Sequence, residues 1–203
     1  MTDKPETYAV APERMPPIPA EKMTEAQKKS AAELAAGRRG SVRGPFNAYL
    51  RSPALMDHVQ KLGAYIRYDS LIELRLRELA ALMAARDWTQ QYEWYAHVPH
   101  ALEAGIKAAT IEAIAEGRRP TGLPADEKIV YDFVTELLVN RGVSDATYAR
   151  ALKAFGEAGV VELISVVGYY AMLAMVMNVA RTAVPDGKPL PLVALPEQLR
   201  VKG

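Results

Sequence analysis

From Leu163 to Ala180 the chain carries no charged residue. That length lies at the lower limit for crossing a bilayer. A run this apolar leaves two choices: it spans a membrane, or the rest of the chain packs around it. Glu162 and Arg181 close the run tightly, Gly168, Tyr169, Tyr170 and Asn178 interrupt it, and no basic flank orients it. The expectation is therefore a helix over roughly 160–183, buried on most sides in a core or between subunits.

The remainder reads as helices. No segment alternates with period two for long enough to form a strand. Thr24-Glu25-Ala26-Gln27 is a capping box opening a helix that Gly37 ends. A short helix is expected over 46–51. Ser52 then caps a helix with Leu55, Val59, Leu62 and Ile66 on one face. Ser70-Leu71-Ile72-Glu73 reads as a second capping box, opening a helix with Leu71, Leu74, Leu82 and Met83 as apolar positions. Asp87 or Thr89 is the expected cap of a helix running to about Ala104, kinked by Pro99 and stopped by Gly105. Helices follow over 108–116 and 125–139, and Ser144 caps another. The fold class is all-α: one multi-helix domain over 23–184, with a proline-rich N-terminal arm at 1–22 and a proline-rich C-terminal arm at 185–203.

Composition removes several functions. There is no cysteine, so disulfides, thiolate metal sites and thiol redox chemistry are excluded. The net charge is +1, which gives no global attraction for nucleic acid or an anionic membrane. Nothing resembles a nucleic-acid recognition signature. The first 23 residues lack the apolar segment of a signal peptide. A cytoplasmic protein with a small-molecule substrate, no nucleic-acid or membrane partner and no cofactor is expected. So much exposed apolar helix predicts a homo-oligomer.

Chemically capable side chains concentrate in 86–100, which holds both tryptophans and two of the three histidines. On a helix, Gln90, Glu93, His97 and His100 share one face. A carboxylate one turn from an imidazole is a proton-transfer pair or a surface contact; spacing alone allows both. The loop from Gly37 to Phe46 brings Arg38, Arg39 and Arg43 among three glycines. It is either an anion-binding loop or a solvated basic one, and it lacks the Gly-Lys-Ser/Thr ending of a phosphate-binding loop.

Three stretches together resemble the carboxymuconolactone decarboxylase family, which includes the alkylhydroperoxidase D-like proteins: Arg77-Glu78-Leu79-Ala80, Tyr92-Glu93-Trp94-Tyr95-Ala96-His97 with Gly105, and Gly168-Tyr169-Tyr170 with Asn178. The resemblance covers roughly 40–183 and implies an alkylhydroperoxidase D-like helical bundle that assembles as a dimer, trimer or hexamer. The peroxidase branch of the family carries a glutamate, eleven residues, then Cys-x-x-Cys-x-x-x-His. Anchored on His97, that motif places its glutamate at Glu78 and its cysteines at Gln90 and Glu93. The glutamate and histidine are kept and both sulfurs are lost, so peroxidase chemistry is gone. The resemblance then implies Glu78, Glu93 and His97 converging as catalytic groups for non-redox, general acid–base chemistry on a small carboxylated lactone or keto acid. Arg43, Phe46, Trp94, His100 and Tyr170 are the expected substrate-binding residues. Three alternatives stay open: a structural network tied to Arg77 or Arg86, a non-catalytic binding or assembly protein that kept the pocket, and a metal-dependent variant using Glu93, His97 and His100 with Glu78.

Overall fold

The computed structural model describes residues 12–185 and 190–195. The remaining parts of the two arms, including Pro5, Pro189 and Pro196, lie outside the described residues. Among the described residues the fold is all-α. Its helices are α1 (Glu25–Ala36), α2 (Pro45–Tyr49), α3 (Pro53–Tyr68), α4 (Leu74–Asp87), α5 (Gln91–Glu103), α6 (Ala108–Ala115), α7 (Ala125–Asn140) and α8 (Asp145–Ala180).

α4 lies at the centre, packed against α5, α7 and α8. Its sequence explains this. Ala80, Ala81, Ala84 and Ala85 are fully buried; small side chains let neighbouring helices approach closely, while Leu76, Leu79 and Leu82 fill the space between them. α8 supplies Leu163, Val166, Val167, Leu173 and Met177 to the same core. It is long and apolar enough to cross a membrane, and half of its most apolar window is buried inside the fold. Gly156 breaks it with non-helical angles (φ 68°, ψ 175°), so a first segment starting at the Ser144 cap leads into the apolar one. Val161, Ile164, Met175 and Val179 remain exposed along its outer side.

Several local expectations need correction. The capping box at Ser70 does not form: Glu73 is the N-cap of α4 and makes no side-chain cap. Ser70 and the Leu71 N–H instead donate to Glu162 of α8, each at 2.6 Å. The cap of α5 is neither Asp87, which ends α4, nor Thr89, which turns the chain at φ 47°. It is Gln90, whose side chain accepts the Glu93 N–H at 2.8 Å. On α3 the buried face is Met56, Val59, Gly63 and Ile66, while Leu55 and Leu62 face solvent. Leu71 and Leu74 are exposed as well.

The described parts of both arms dock on their own chain. Arg14 N–H donates to the Ala180 carbonyl at 2.8 Å, and Glu13 accepts the Ala183 N–H at 2.7 Å. Leu192 is buried, and the Gln91 side-chain amide pairs with its backbone in both directions at 2.8 and 2.9 Å. This fixes the start of α5 against the C-terminal segment.

Candidate active site

Glu78 and His97 come together because α4 and α5 form an antiparallel pair. The turn between them is set by the positive φ of Thr89 and the Gln90 cap. Gln90 also donates to Asn178 of α8 at 3.3 Å, and Asn178 donates to the Trp88 carbonyl at 2.9 Å. The position where a peroxidase would carry its first cysteine therefore works as a helix cap and a tie to α8.

His97 Nδ1 lies 2.7 Å from Glu78 Oε2, and both side chains are buried. Burial works to raise the Glu78 pKa. The hydrogen bond and charge of His97 oppose it, with help from Arg67 and His100, and the net result lies below the ordinary glutamate value. Ionised Glu78 only accepts, so Nδ1 carries the hydrogen and donates. The opposite nitrogen, Nε2, is the one left for a ligand. Tyr170 packs its ring edge-on against the His97 ring, with centroids 4.7 Å apart, and fixes its plane. Burial, then the Glu78 charge, pushes the Tyr170 phenol far up, so it stays protonated.

Glu93 stands one turn before His97 on α5. It is 2% exposed, and among the described residues neither carboxyl oxygen has a hydrogen-bond partner. Burial alone raises its pKa well above the ordinary value, which favours the neutral acid with an O–H to donate. Two carboxylates on neighbouring helices thus have their pKa values pushed in opposite directions.

A cavity of about 430 Å³ opens beside these groups, a size that suits a small organic ligand. Glu93, His97, His100, Phe46, Tyr170 and Arg43 all line it. Glu78 stands behind His97 and reaches the cavity only through that ring. Trp94 is a correction: it is buried in the core and does not line the cavity. Arg77, named in the network alternative, donates to the Ile66 carbonyl at 2.8 Å. No group of three His, Asp or Glu side chains among the described residues gathers closely enough to hold a metal ion, so Glu93, His97 and His100 do not form the ligand set that the metal alternative requires.

The structure adds lining residues beyond the expected substrate-binding set. Arg38, Arg39, Arg67, Tyr68, Tyr92 and Tyr169 also line the cavity. Arg39 donates to the Tyr169 hydroxyl at 3.3 Å and stacks over Phe46 at 4.6 Å. Burial pushes the Tyr169 phenol up to about 12. Gly63 of α3 is required here, because a Cβ would collide with the Tyr169 hydroxyl and with Arg39. The Arg38–Arg39 pair was visible in the same loop as Arg43, and Tyr169 is the neighbour of Tyr170. Arg67 gave no signal, since it sits among ordinary helix-surface charges.

The all-α bundle thus sets a buried acid–imidazole pair beside a cavity, in a chain with no cysteine. Residues 53–130 match the model of the carboxymuconolactone decarboxylase family, a span that holds both Glu78 and His97. Over that span the chain is similar to the family, and it carries no cysteine. A search of curated proteins gave no match.

Proposed function

We propose that the chain is a carboxymuconolactone decarboxylase-like enzyme that works by general acid–base catalysis, without redox chemistry, on a small carboxylated lactone or keto acid. One observation carries the reading. Glu93 is a buried carboxyl on the cavity wall with no partner, one turn from a histidine whose other nitrogen is held by an ionised glutamate.

Glu78 orients His97 and stabilises its charged form when it takes a proton. In the neutral ring, Nε2 is a lone pair able to remove a proton beside a carbonyl. Glu93 donates its O–H to the oxygen on which charge builds, or returns the proton to carbon after carbon dioxide leaves. Isomerisation, hydrolysis and decarboxylation use the same two groups. A pure binding module would leave such a carboxyl tied to an arginine; among the described residues Glu93 has no hydrogen-bond partner, and this favours the enzyme.

The test is a panel of carboxylated lactones and keto acids in deuterated buffer, followed by NMR for deuterium incorporation or carbon dioxide release. Turnover of one panel member that disappears in Glu93→Gln and His97→Gln supports the reading. Turnover unchanged in Glu78→Gln, Glu93→Gln and His97→Gln would sink it.

We further propose that the exposed stripe of α8, Val161, Ile164, Met175 and Val179, is covered by a second copy of the chain.

A further inference from the structure

The cavity is polarised along its depth. Its floor is formed by buried groups: Glu93, His97, Tyr170, Leu173 and Met177. Its solvent-facing rim carries guanidinium groups. Arg38 and Arg43 are exposed, and Arg39 and Arg67 are half-buried. Two of these four arginines are already engaged. Arg38 lies 3.8 Å from Asp69 and stacks on Tyr68 at 4.8 Å; Arg39 is held by Tyr169 and Phe46, with its buried Nε still unpartnered. Arg43 and Arg67 make no side-chain hydrogen bond or ion pair among the described residues. They come from separate elements, Arg43 from the loop before α2 and Arg67 from the last turn of α3, yet they face the same opening. Among the described residues, the one acidic side chain lining the cavity is Glu93, on the floor.

We infer that the cavity binds an amphipathic organic acid in one orientation: its anionic group at the rim on Arg43 and Arg67, its apolar body along Phe46, Leu173 and Met177, and its reacting end on the floor between Glu93 and His97. This deepens the acid–base reading of the same cavity and rests on it for the words "reacting end". Free guanidinium donors match a carboxylate or another oxyanion with paired hydrogen bonds. A carboxylate held this way is stabilised in the ground state and is not the one that reacts. Arg43 and Arg67 thereby become specificity-determining residues. They decide which end of the ligand meets His97.

The test uses 4-phenylbutyrate and its neutral amide as non-reactive probes of the full-length chain, measured by calorimetry. The acid is expected to bind at least roughly tenfold tighter than the amide, with an affinity that falls as salt rises. Arg43→Gln and Arg67→Gln should each weaken the acid roughly tenfold and leave the amide unchanged, while Arg67→Lys recovers part of the loss. A crystal structure of the complex should place the carboxylate on the two guanidinium groups. Equal affinity for acid and amide, no binding of either, or a carboxylate seated against His97 would overturn the inference. Its failure is separable from failure of the acid–base reading. His97→Gln should keep the acid affinity while losing turnover. Oriented binding with no turnover of any panel member would refute the enzyme and leave the inference standing.

Discussion

Two groups of acids lie where α4 meets α7 and where it meets α5, and they are treated in opposite ways. On the α7 side, Glu127 is buried and Arg75 meets it at 2.6 Å, while the other arm of the same guanidinium holds Asp126 at 2.5 Å. The Arg75 hydrogen bond holds Asp126 below the usual carboxylate range. Every charge there has a partner, and the cluster pins α4 to the start of α7. On the α5 side, Glu78 is answered by an imidazole whose second nitrogen is left for a ligand, and Glu93 has no hydrogen-bond partner among the described residues. Burying a carboxyl without a partner costs free energy. A fold able to place Arg75 so well on one side leaves Glu93 bare on the other, and the bare group lines the cavity. Compensated burial marks architecture, and uncompensated burial marks a site.

The comparison breaks most visibly in turnover. His97→Gln and Glu93→Gln should each lower the rate on a panel substrate by roughly 10²–10⁴-fold, with circular dichroism unchanged. Arg75→Ala should do the reverse. It strands Glu127 and should cost about 3–5 kcal/mol in denaturant unfolding, with the affinity for a cavity ligand unchanged at temperatures where the chain stays folded. Gly63→Ala is next. The added methyl has to displace Tyr169 or Arg39, at about 1–3 kcal/mol, and this variant should lose cavity binding as well, since both residues line the cavity.

The smallest effect is the sharpest in sign. Glu93 has a raised pKa in the fold, so its stabilising share is complete below the unfolded glutamate value and is lost as pH rises toward the folded one. Glu93→Gln should therefore melt increasingly above the wild type as pH climbs past the ordinary glutamate range. Glu78 has a lowered pKa, so its contribution is present above the unfolded value and lost as pH falls through the folded one. Glu78→Gln should be less stable than wild type at neutral pH, with the gap closing in acid. Melting curves of the two variants across the acid-to-neutral range check both directions. If the two Gln variants shifted with pH in the same direction, the contrast between the two carboxylates would fail.

How much of this was legible beforehand depends on the distance over which each feature is decided. The all-α class and the Thr24 and Ser144 caps are local, and the Thr24–Gln27 box and the Ser144 cap form as the sequence implies. The Ser70 box was lost because Glu162, far along the chain, takes both its hydroxyl and the Leu71 N–H. The α5 cap was misplaced because Thr89 spends its turn on a left-handed bend and Gln90, a residue not favoured as a cap, takes the role. The pairing of Glu78 with His97 came from family resemblance; neither helix alone contains it. That Glu93 would stand alone depends on what is absent around it, which no sequence pattern displays. Trp94 was assigned to the cavity because aromatics clustered near His97, yet its place on α5 turns it into the core. Arg67 lies eleven residues before Glu78 on a different helix, and only the packing of α3 brings it to the rim.

The central claim is that Glu93 is a neutral acid at pH 7 while Glu78 is ionised beside it. Difference infrared spectroscopy of the carboxyl stretch tests it directly, comparing wild type with Glu93→Gln and Glu78→Gln at neutral pH. A protonated-carboxyl band present in the wild type and in Glu78→Gln, and absent from Glu93→Gln, is the predicted result. A wild-type spectrum with no protonated-carboxyl band, or a band removed by Glu78→Gln instead, would contradict the account.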